Sequence, residues 1–545
     1  MLSRWMACGA HPRPLLRGEM GAEGLDCGGV WLFTFCFSPG AHNYEGTLLN
    51  PRHCWHIYLW LMSSCDTLIR NASVLDGSGG SSEILDVAVR DGLICEIGSG
   101  LEYHTQIVVD AEGLTLAPGF IDVHTHDDLA VIRDPAMLAK LSQGVTTVIV
   151  GNCGISASPV RLRGEPPDPM NLLGGADDFR YGTFSSYKAA LAEVRPAVNV
   201  AALIGHTALR NNHMDRLDRT ATDAEIEAMR AQLQEALDGG ALGLSSGLAY
   251  LSANAASTEE VLALAEPLML AGGVYTTHLR TETEAILDAM SEAFEIGRRT
   301  QVPVIVSHLK CAGIVNWGRS GEVLQALETA RSTQDAGCDC YPYAAGSSTL
   351  DLRQVDERVE ITITWSTPHP EIAGRSLAWI AAAWSVTQME AARRVQPAGA
   401  IYHSISEEDM RRILRHPATM IGSDGLPNDP RPHPRLWGTF PRVLGRYRRE
   451  ENLFSLAEAV RKMTGMPAQR FGLAGRGLIR EGYCADLTLF DPEKIMDTAT
   501  YADPVRVAEG IERVWVNGVL SYTAQGATTE RAGRFVARGR TAWVQ

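Results

Sequence analysis

The sequence predicts an α/β protein in which a (β/α)8 barrel, the TIM barrel fold, forms the centre of the chain. Three observations lead to this prediction. Eight short apolar runs alternate with helical patterns through the middle of the chain, as parallel strands do when helices connect them. Segments with the alternation of short strands stand on either side of this region. Histidine, cysteine and aspartate follow several of the apolar runs, and such barrels place their chemistry at the carboxyl ends of their strands.

The predicted barrel strands are short and mostly apolar, which is typical of strands buried on both faces. They cover residues 115–123, 145–150, 198–204, 241–244, 274–277, 302–307, 338–341 and 419–422.

Helices are predicted between several of these strands. Thr222 and Glu225 form a capping box before an apolar repeat of 3.6 residues, and Ser257 and Glu260 repeat the pattern. Two further amphipathic helices are predicted at residues 282–299 and 321–336.

The regions before and after the barrel have the pattern of short strands joined by tight turns. Asp91-Gly92 and Asn517-Gly518 each separate two alternating segments, which is a strong hairpin signal. We therefore predict one small β-sandwich domain built from both termini, from residues 63–117 and 477–545.

The barrel itself is predicted to cover residues 118–476. Residues 343–418, between its seventh and eighth strands, are too many for a barrel loop and predict an inserted small domain or lid. Residues 1–61 show no helical or strand period and contain four of the eleven cysteines. We predict that they form a poorly ordered or non-native leader and that Met62 is the natural start.

Composition excludes several classes of function. The net charge of −15 over 545 residues argues against a nucleic-acid partner and against anionic membrane surfaces. No apolar run approaches the roughly 18 residues of a membrane helix. Eleven cysteines, an odd number, do not form a disulfide framework in a chain of this length, and they favour a reducing, cytoplasmic setting.

Two histidines spaced by one residue follow the first predicted barrel strand. Residues i and i+2 of an extended chain share a face, so His124 and His126 could offer two imidazoles to one metal ion. The pair is weak evidence by itself, because a single histidine there is more often hydrogen-bonded in the core. The same kinds of residue recur where later strands end, at Cys153, His206, His278, His308 and Asp424.

A mixed set of imidazole, thiolate and carboxylate donors suits zinc best. Three protein ligands would leave the metal an open position, where it could activate a water molecule or polarise a carbonyl. Asp424 could accept the proton of that water and return it to a leaving nitrogen. The residues therefore indicate metal-assisted hydrolysis and leave the substrate open.

Several longer motifs resemble a known family. Residues 119–128, GFIDVHTHDD, look like the signature of the amidohydrolase superfamily. Residues 144–155, GVTTVIVGNCGI, resemble the D-aminoacylases (N-acyl-D-amino-acid deacylases) within it. The resemblance covers residues 63–545 and includes motifs at 277–282, 307–310, 339–347 and 419–444.

The resemblance implies a metal-dependent hydrolase barrel that cleaves the amide bond of N-acyl-D-amino acids to a carboxylate and a free D-amino acid. It implies a tight zinc site in which a cysteine replaces the carbamylated lysine of many relatives, formed by Cys153, His278 and His308. It also implies a second metal site, weak or often empty, formed by His124, His126, Cys153 and Asp424.

The same resemblance makes Asp424 the general acid/base. It also implies that the α-carboxylate of the small-molecule substrate is held by Lys310, Tyr341 and Arg435. A guanidinium grips a carboxylate in a fork, which suits the arginine to this role.

Two alternatives stay open. A cyclic-amide hydrolase of the hydantoinase or dihydroorotase kind usually needs the carbamylated lysine, and the fourth strand ends Gly243-Leu-Ser-Ser246 without one. A non-catalytic paralogue would be expected to lose metal ligands, whereas all six are present.

Overall fold

The computed structural model describes residues 64–539, so the predicted leader at residues 1–61 lies outside them. The strands are Thr67–Val74, Glu83–Arg90, Leu93–Gly98, Ile107–Asp110, Thr115–Pro118, Phe120–Asp122, Val145–Val150, Asn199–Ala202, Ile204–Gly205, Gly243–Gly247, Val274–His278, Val304–Val306, Ala336–Cys340, Gly346–Thr349, Ile361–Ser366, Ala398–Tyr402, Thr419–Ile421, Leu487–Phe490, Ile511–Val516, Val519–Thr523 and Gly526–Ala527. The α-helices are Ala130–Arg133, Leu138–Leu141, Phe184–Val194, His206–His213, Asp223–Asp238, Leu251–Asn254, Thr258–Ala271, Ile286–Thr300, Ser320–Arg331, Leu377–Trp384, Gln388–Val395, Glu407–Arg415, Arg435–Arg442, Leu456–Met463 and Gly465–Phe471, and Val443–Glu450 is a π-helix. Within this range, none of the helices combines the length and apolarity that crossing a bilayer requires.

Strands from the two flanking regions join one nine-stranded sheet. Thr67–Val74 pairs in parallel with Thr115–Pro118, which pairs antiparallel with Leu487–Phe490 from the other end of the chain. Both predicted hairpins are confirmed, and Asp91 and Asn517 adopt the positive φ angles of 51° and 49° that their tight turns require. The assignment of residues 63–117 and 477–545 to a separate domain stays a prediction.

Eight parallel strands form the barrel, as predicted, ending with Thr419–Ile421. The first strand is shorter than the predicted 115–123: Phe120–Asp122 pairs with the second barrel strand, whereas Thr115–Pro118 belongs to the flanking sheet. The third strand is interrupted at Leu203: its first part pairs with the second strand and its second part with the fourth. The first and eighth strands meet through a single parallel bridge between Thr125 and Gly425, just beyond their ends.

The helices between the strands follow the sequence signals with local differences; the helix predicted at residues 282–299, for example, spans Ile286–Thr300. The capping box of Thr222 and Glu225 is confirmed. The second box is only half formed, because the Glu260 carboxylate is buried and accepts a hydrogen bond from His206 Nε2 at 2.9 Å. The helix predicted at residues 321–336 ends at Arg331, since the chain enters the seventh strand from Ala336 onwards.

Residues between the seventh and eighth strands form a small unit with its own core. Three antiparallel strands are covered by the helices Leu377–Trp384 and Gln388–Val395, and Ile363, Ile380 and Val395 are fully buried between them. The edge strand of this unit, Gly346–Thr349, borders a cavity at the mouth of the barrel.

A chain shortened to begin at Met62 is expected to fold and to turn over substrate like the full chain. Every strand of the barrel and every predicted ligand lies after this residue. Thermal unfolding and steady-state kinetics of the two chains would check this expectation. A marked fall in melting temperature after truncation would contradict it.

Candidate metal centre

The carboxyl ends of the barrel strands bring the six predicted metal ligands to one point at the mouth of the barrel. They form two groups, and within each group the ligand atoms lie within 4.8 Å of one another. Cys153 belongs to both groups. The first group is Cys153, His278 and His308, and the second is His124, His126, Cys153 and Asp424.

Cys153 is placed centrally by a tight loop after the second strand. Its Sγ lies 3.2 Å from His124 Nε2 and 3.3 Å from His308 Nε2. The next residue, Gly154, packs so closely on the end of the fourth strand that a Cβ there would come within 2.7 Å of the Gly247 nitrogen. A side chain at position 154 would therefore displace the loop that carries the thiol.

Three of the six ligands have a left-handed backbone that side-chain-bearing residues rarely adopt. The φ angles are 53° at Cys153, 34° at His308 and 48° at Asp424. Each such residue costs on the order of 1–3 kcal/mol and persists only where the surroundings enforce it. Their concentration at one point favours a functional site over ordinary core packing.

Electrostatics favours the ionised forms of both acidic ligands. Burial alone would raise the pKa of the Cys153 thiol, but His124 and His308 hold it well below its usual range. Burial would likewise raise the pKa of Asp424, whereas Arg435 and the nearby histidines hold it well below its usual range. Thiolate and imidazole are the donors that zinc prefers, so the chemistry of this set fits zinc.

The three predicted substrate-binding residues also lie near the metal ligands. Lys310 and Tyr341 line a cavity of about 370 Å³ that opens beside the ligands. Lys310 Nζ donates to Glu282 Oε1 at 2.5 Å and lies 2.9 Å from His308 Nδ1. Because Lys310 already has partners, binding a substrate carboxylate would require it to exchange or share them.

Arg435 is fully buried beside Tyr341, with its guanidinium carbon 4.6 Å from the centre of the ring. Its Nη1 lies 2.9 Å from Asp424 Oδ2, and its Nη2 donates to the Ser347 carbonyl at 3.0 Å. The Tyr341 hydroxyl has no hydrogen-bond partner among the described residues. Arg435 is thus tied to the proposed base as well as to the predicted carboxylate site.

Comparison with known protein families identifies the chain. Residues 107–522 match the model of the family described as "Amidohydrolase family". The chain belongs to the amidohydrolase family. Within this family it belongs with the D-aminoacylases, because the D-aminoacylase of Alcaligenes xylosoxydans xylosoxydans is 47% identical over 473 residues. That alignment covers 87% of this chain and 98% of the relative.

Solved structures of amidohydrolases support the same assignment. A D-aminoacylase studied for its binuclear metal centre, with one-metal activation and second-metal attenuation, is 46% identical with a TM-score of 0.85. The N-acyl-D-glutamate deacylase of Bordetella bronchiseptica, complexed with zinc and a phosphonate inhibitor, is 43% identical with a TM-score of 0.84. Each comparison covers 87% of this chain and the whole of the other.

Sequence reasoning missed the carboxylates that support the predicted metal ligands. Asp339 faces His124 Nδ1 at 3.2 Å and accepts a hydrogen bond from the His308 backbone at 2.9 Å. Glu282 Oε1 lies 3.1 Å from His308 Nδ1. Such partners fix the orientation of metal-binding imidazoles. Both residues lie inside the motifs at 277–282 and 339–347, which was the available signal.

His206, a candidate donor from its place at the end of the third strand, is not brought to the centre. It begins the helix His206–His213, and its Nε2 bonds to Glu260. Burial lowers its pKa despite this carboxylate. It is therefore a buried polar group of the neighbouring helix layer.

Proposed function

We propose that this amidohydrolase hydrolyses the amide bond of N-acyl-D-amino acids, releasing a carboxylate and a free D-amino acid. The observation that carries the proposal is the shared thiolate: Cys153 joins two buried groups of metal donors in a chain that is 47% identical to a D-aminoacylase. The small-molecule substrate would occupy the cavity lined by Lys310 and Tyr341.

The proposal includes one tight zinc site and a second site that is weak or empty. Cys153, His278 and His308 would form the tight site, since a thiolate with two imidazoles leaves one position open for catalysis. His124, His126 and Asp424 would complete the second site around the same thiolate. When bound, zinc supplies a Lewis acid that makes water a better nucleophile at neutral pH and polarises the scissile carbonyl.

Asp424 would act as the general base and then as the general acid. Its depressed pKa keeps it ionised at neutral pH, so it can accept the proton of the attacking water. The protonated carboxyl group can then return this proton to the leaving nitrogen. Oδ1 faces His126 Nε2 at 3.3 Å and Oδ2 faces Arg435, so the carboxylate is oriented from both sides.

Lys310, Tyr341 and Arg435 would hold the α-carboxylate of the substrate. The Tyr341 hydroxyl is buried without a partner among the described residues, as expected of a donor kept for a ligand. A fixed carboxylate site beside the metal centre would also select between enantiomers, because only one configuration would then present its amide nitrogen to Asp424.

Rates on a matched set of substrates would test this function. We expect hydrolysis of N-acetyl-D-leucine, N-acetyl-D-methionine, N-acetyl-D-aspartate or N-acetyl-D-glutamate, with much lower kcat/KM for the L-enantiomer of each good substrate. Hydantoin serves as the cyclic-amide control. Equal rates for the two enantiomers, or ring opening faster than any deacylation, would contradict the proposal. The same series would show which side chain the cavity prefers.

A further inference from the structure

A lysine lies fully buried behind the metal centre, and neither the metal ligands nor the proposed substrate site includes it. Lys140 Nζ lies 2.8 Å from Asp122 Oδ2, 3.1 Å from Asp127 Oδ2, and 3.0 Å from both Thr125 Oγ1 and Ser423 Oγ. Burial disfavours its charge, but the two carboxylates outweigh burial and raise the pKa of Lys140. It is therefore an ammonium with four oxygen neighbours.

These neighbours belong to the two ends of the barrel sequence. Asp122 ends the first strand, and Ser423 lies two residues after the eighth. The Asp122 carboxylate accepts hydrogen bonds from Ser423 N at 2.8 Å and from Ser423 Oγ at 2.6 Å. Lys140 contacts both Asp122 and Ser423, so it connects the end of the first strand to the end of the eighth through side chains.

The junction between the first and eighth strands has few backbone contacts that could replace these side-chain hydrogen bonds. Asp424 N donates to the His124 carbonyl at 2.6 Å and His126 N donates to the Gly425 carbonyl at 3.0 Å. Among the described residues, Thr125–Gly425 is the one bridge assigned between the two strands. His124 and His126 therefore face Asp424 across the barrel junction that has the fewest paired residues among those described.

We propose that Lys140 is a positioning residue that holds Asp424 in register with His124 and His126 by clamping the first and eighth strands together. Asp424 needs such a device because its left-handed backbone is unfavourable unless its surroundings enforce it. Ser423, the preceding residue, is the point at which the clamp acts. The inference rests on the proposed function, since it assigns Lys140 to the alignment of the proposed base.

Lys140→Gln keeps a hydrogen-bonding side chain but leaves Asp122 and Asp127 buried without a counter-charge. Loss of residues that orient a metal site typically costs about 10–100-fold in activity or metal affinity. We expect kcat to fall by about that factor, with KM within about threefold of the parent. Zinc titration should show a similar loss of affinity at the second site and one retained tight equivalent.

Lys462→Gln is the matched control. Lys462 is also fully buried, and its Nζ bonds to the carbonyls of His416 and Thr419, at the opposite end of the eighth strand. This variant should lose thermal stability like Lys140→Gln, but its kcat and its second-site affinity should match the parent. An equal fall in kcat for both variants would reduce Lys140 to a structural role and overturn the inference.

Ser423→Ala tests the clamp with a smaller change, since it removes the hydroxyl that touches Lys140 and Asp122 while leaving both charges in place. We expect a fall in kcat of at least about fivefold with KM little changed, in the range expected for weakened orientation of a reacting group. If Lys140→Gln or Ser423→Ala keeps kcat and second-site affinity within twofold of the parent, the clamp does not position Asp424. A parent protein without deacylase activity would instead refute the proposed function, so the two failures are distinguishable.

Discussion

Cys153→Ala is expected to remove the tight zinc and to abolish activity while the barrel stays folded. Cys153 is the one donor common to both groups, so its loss leaves two imidazoles in the first group and no thiolate in either. Two neutral histidines cannot replace a thiolate that zinc prefers and that the surrounding imidazoles already stabilise as an anion. Zinc content of the purified variant and its rate on the best N-acetyl-D-amino acid would measure both effects.

The barrel offers a matched control for this cysteine. Cys338 is also fully buried, in the seventh strand, and burial raises the pKa of its thiol to about 11. Its Sγ contacts the Thr419 hydroxyl rather than the metal centre. Cys338→Ala should therefore keep stoichiometric zinc and near-parent kcat. Stoichiometric zinc in Cys153→Ala would show that the metal is held by other residues.

His126→Ala should separate the two proposed metal sites. His126 belongs only to the second group, facing Asp424 Oδ1 at 3.3 Å. We expect one tightly bound zinc to remain and activity to fall less than in Cys153→Ala. Zinc titration followed by activity at each metal ratio would check this. Loss of all zinc would indicate that the two groups bind metal as a single unit.

Much of this candidate site could be predicted from the sequence, because an apolar run followed by a metal-binding residue type is a strong local signal of a strand end. Each predicted ligand follows an apolar run, and in a parallel barrel those positions converge whatever the helices between them do. Asp122 and Lys140 give no such signal. Their importance depends on the first strand meeting the eighth, a contact between residues about three hundred positions apart. A lysine in a short helix is most simply interpreted as solvated until the fold buries it.

The role proposed for Arg435 is also wider than its motif predicts, because it depends on a contact with another part of the site. Its motif predicts a hold on the substrate carboxylate, and a fork-shaped cation suits that task. The structure adds the 2.9 Å contact between its Nη1 and Asp424 Oδ2, which no local pattern could indicate. Arg435→Ala would therefore raise the pKa of the proposed base and weaken substrate binding together, so its kinetic effect should appear in both kcat and KM.

Asp424→Asn is expected to lower kcat by at least about 10²–10⁴-fold, the usual contribution of positioned acid/base catalysis. The substitution keeps the shape of the side chain but removes its ability to accept the proton of the attacking water. KM should change far less, because Lys310 and Tyr341 remain in place. Steady-state kinetics and zinc content of the same preparation would measure these effects.

Tyr341→Phe provides the opposite kinetic signature. It removes one hydroxyl that has no partner within the described protein, so the surrounding structure loses no internal hydrogen bond. Loss of a group that only binds substrate should raise KM and leave kcat nearly unchanged, whereas loss of a base that acts in the transition state should lower kcat.

If Asp424→Asn with its zinc bound kept kcat within a few-fold of the parent, another group must move the proton. His206 is an unfavourable substitute, because its Nε2 is bound to Glu260 away from the metal ligands.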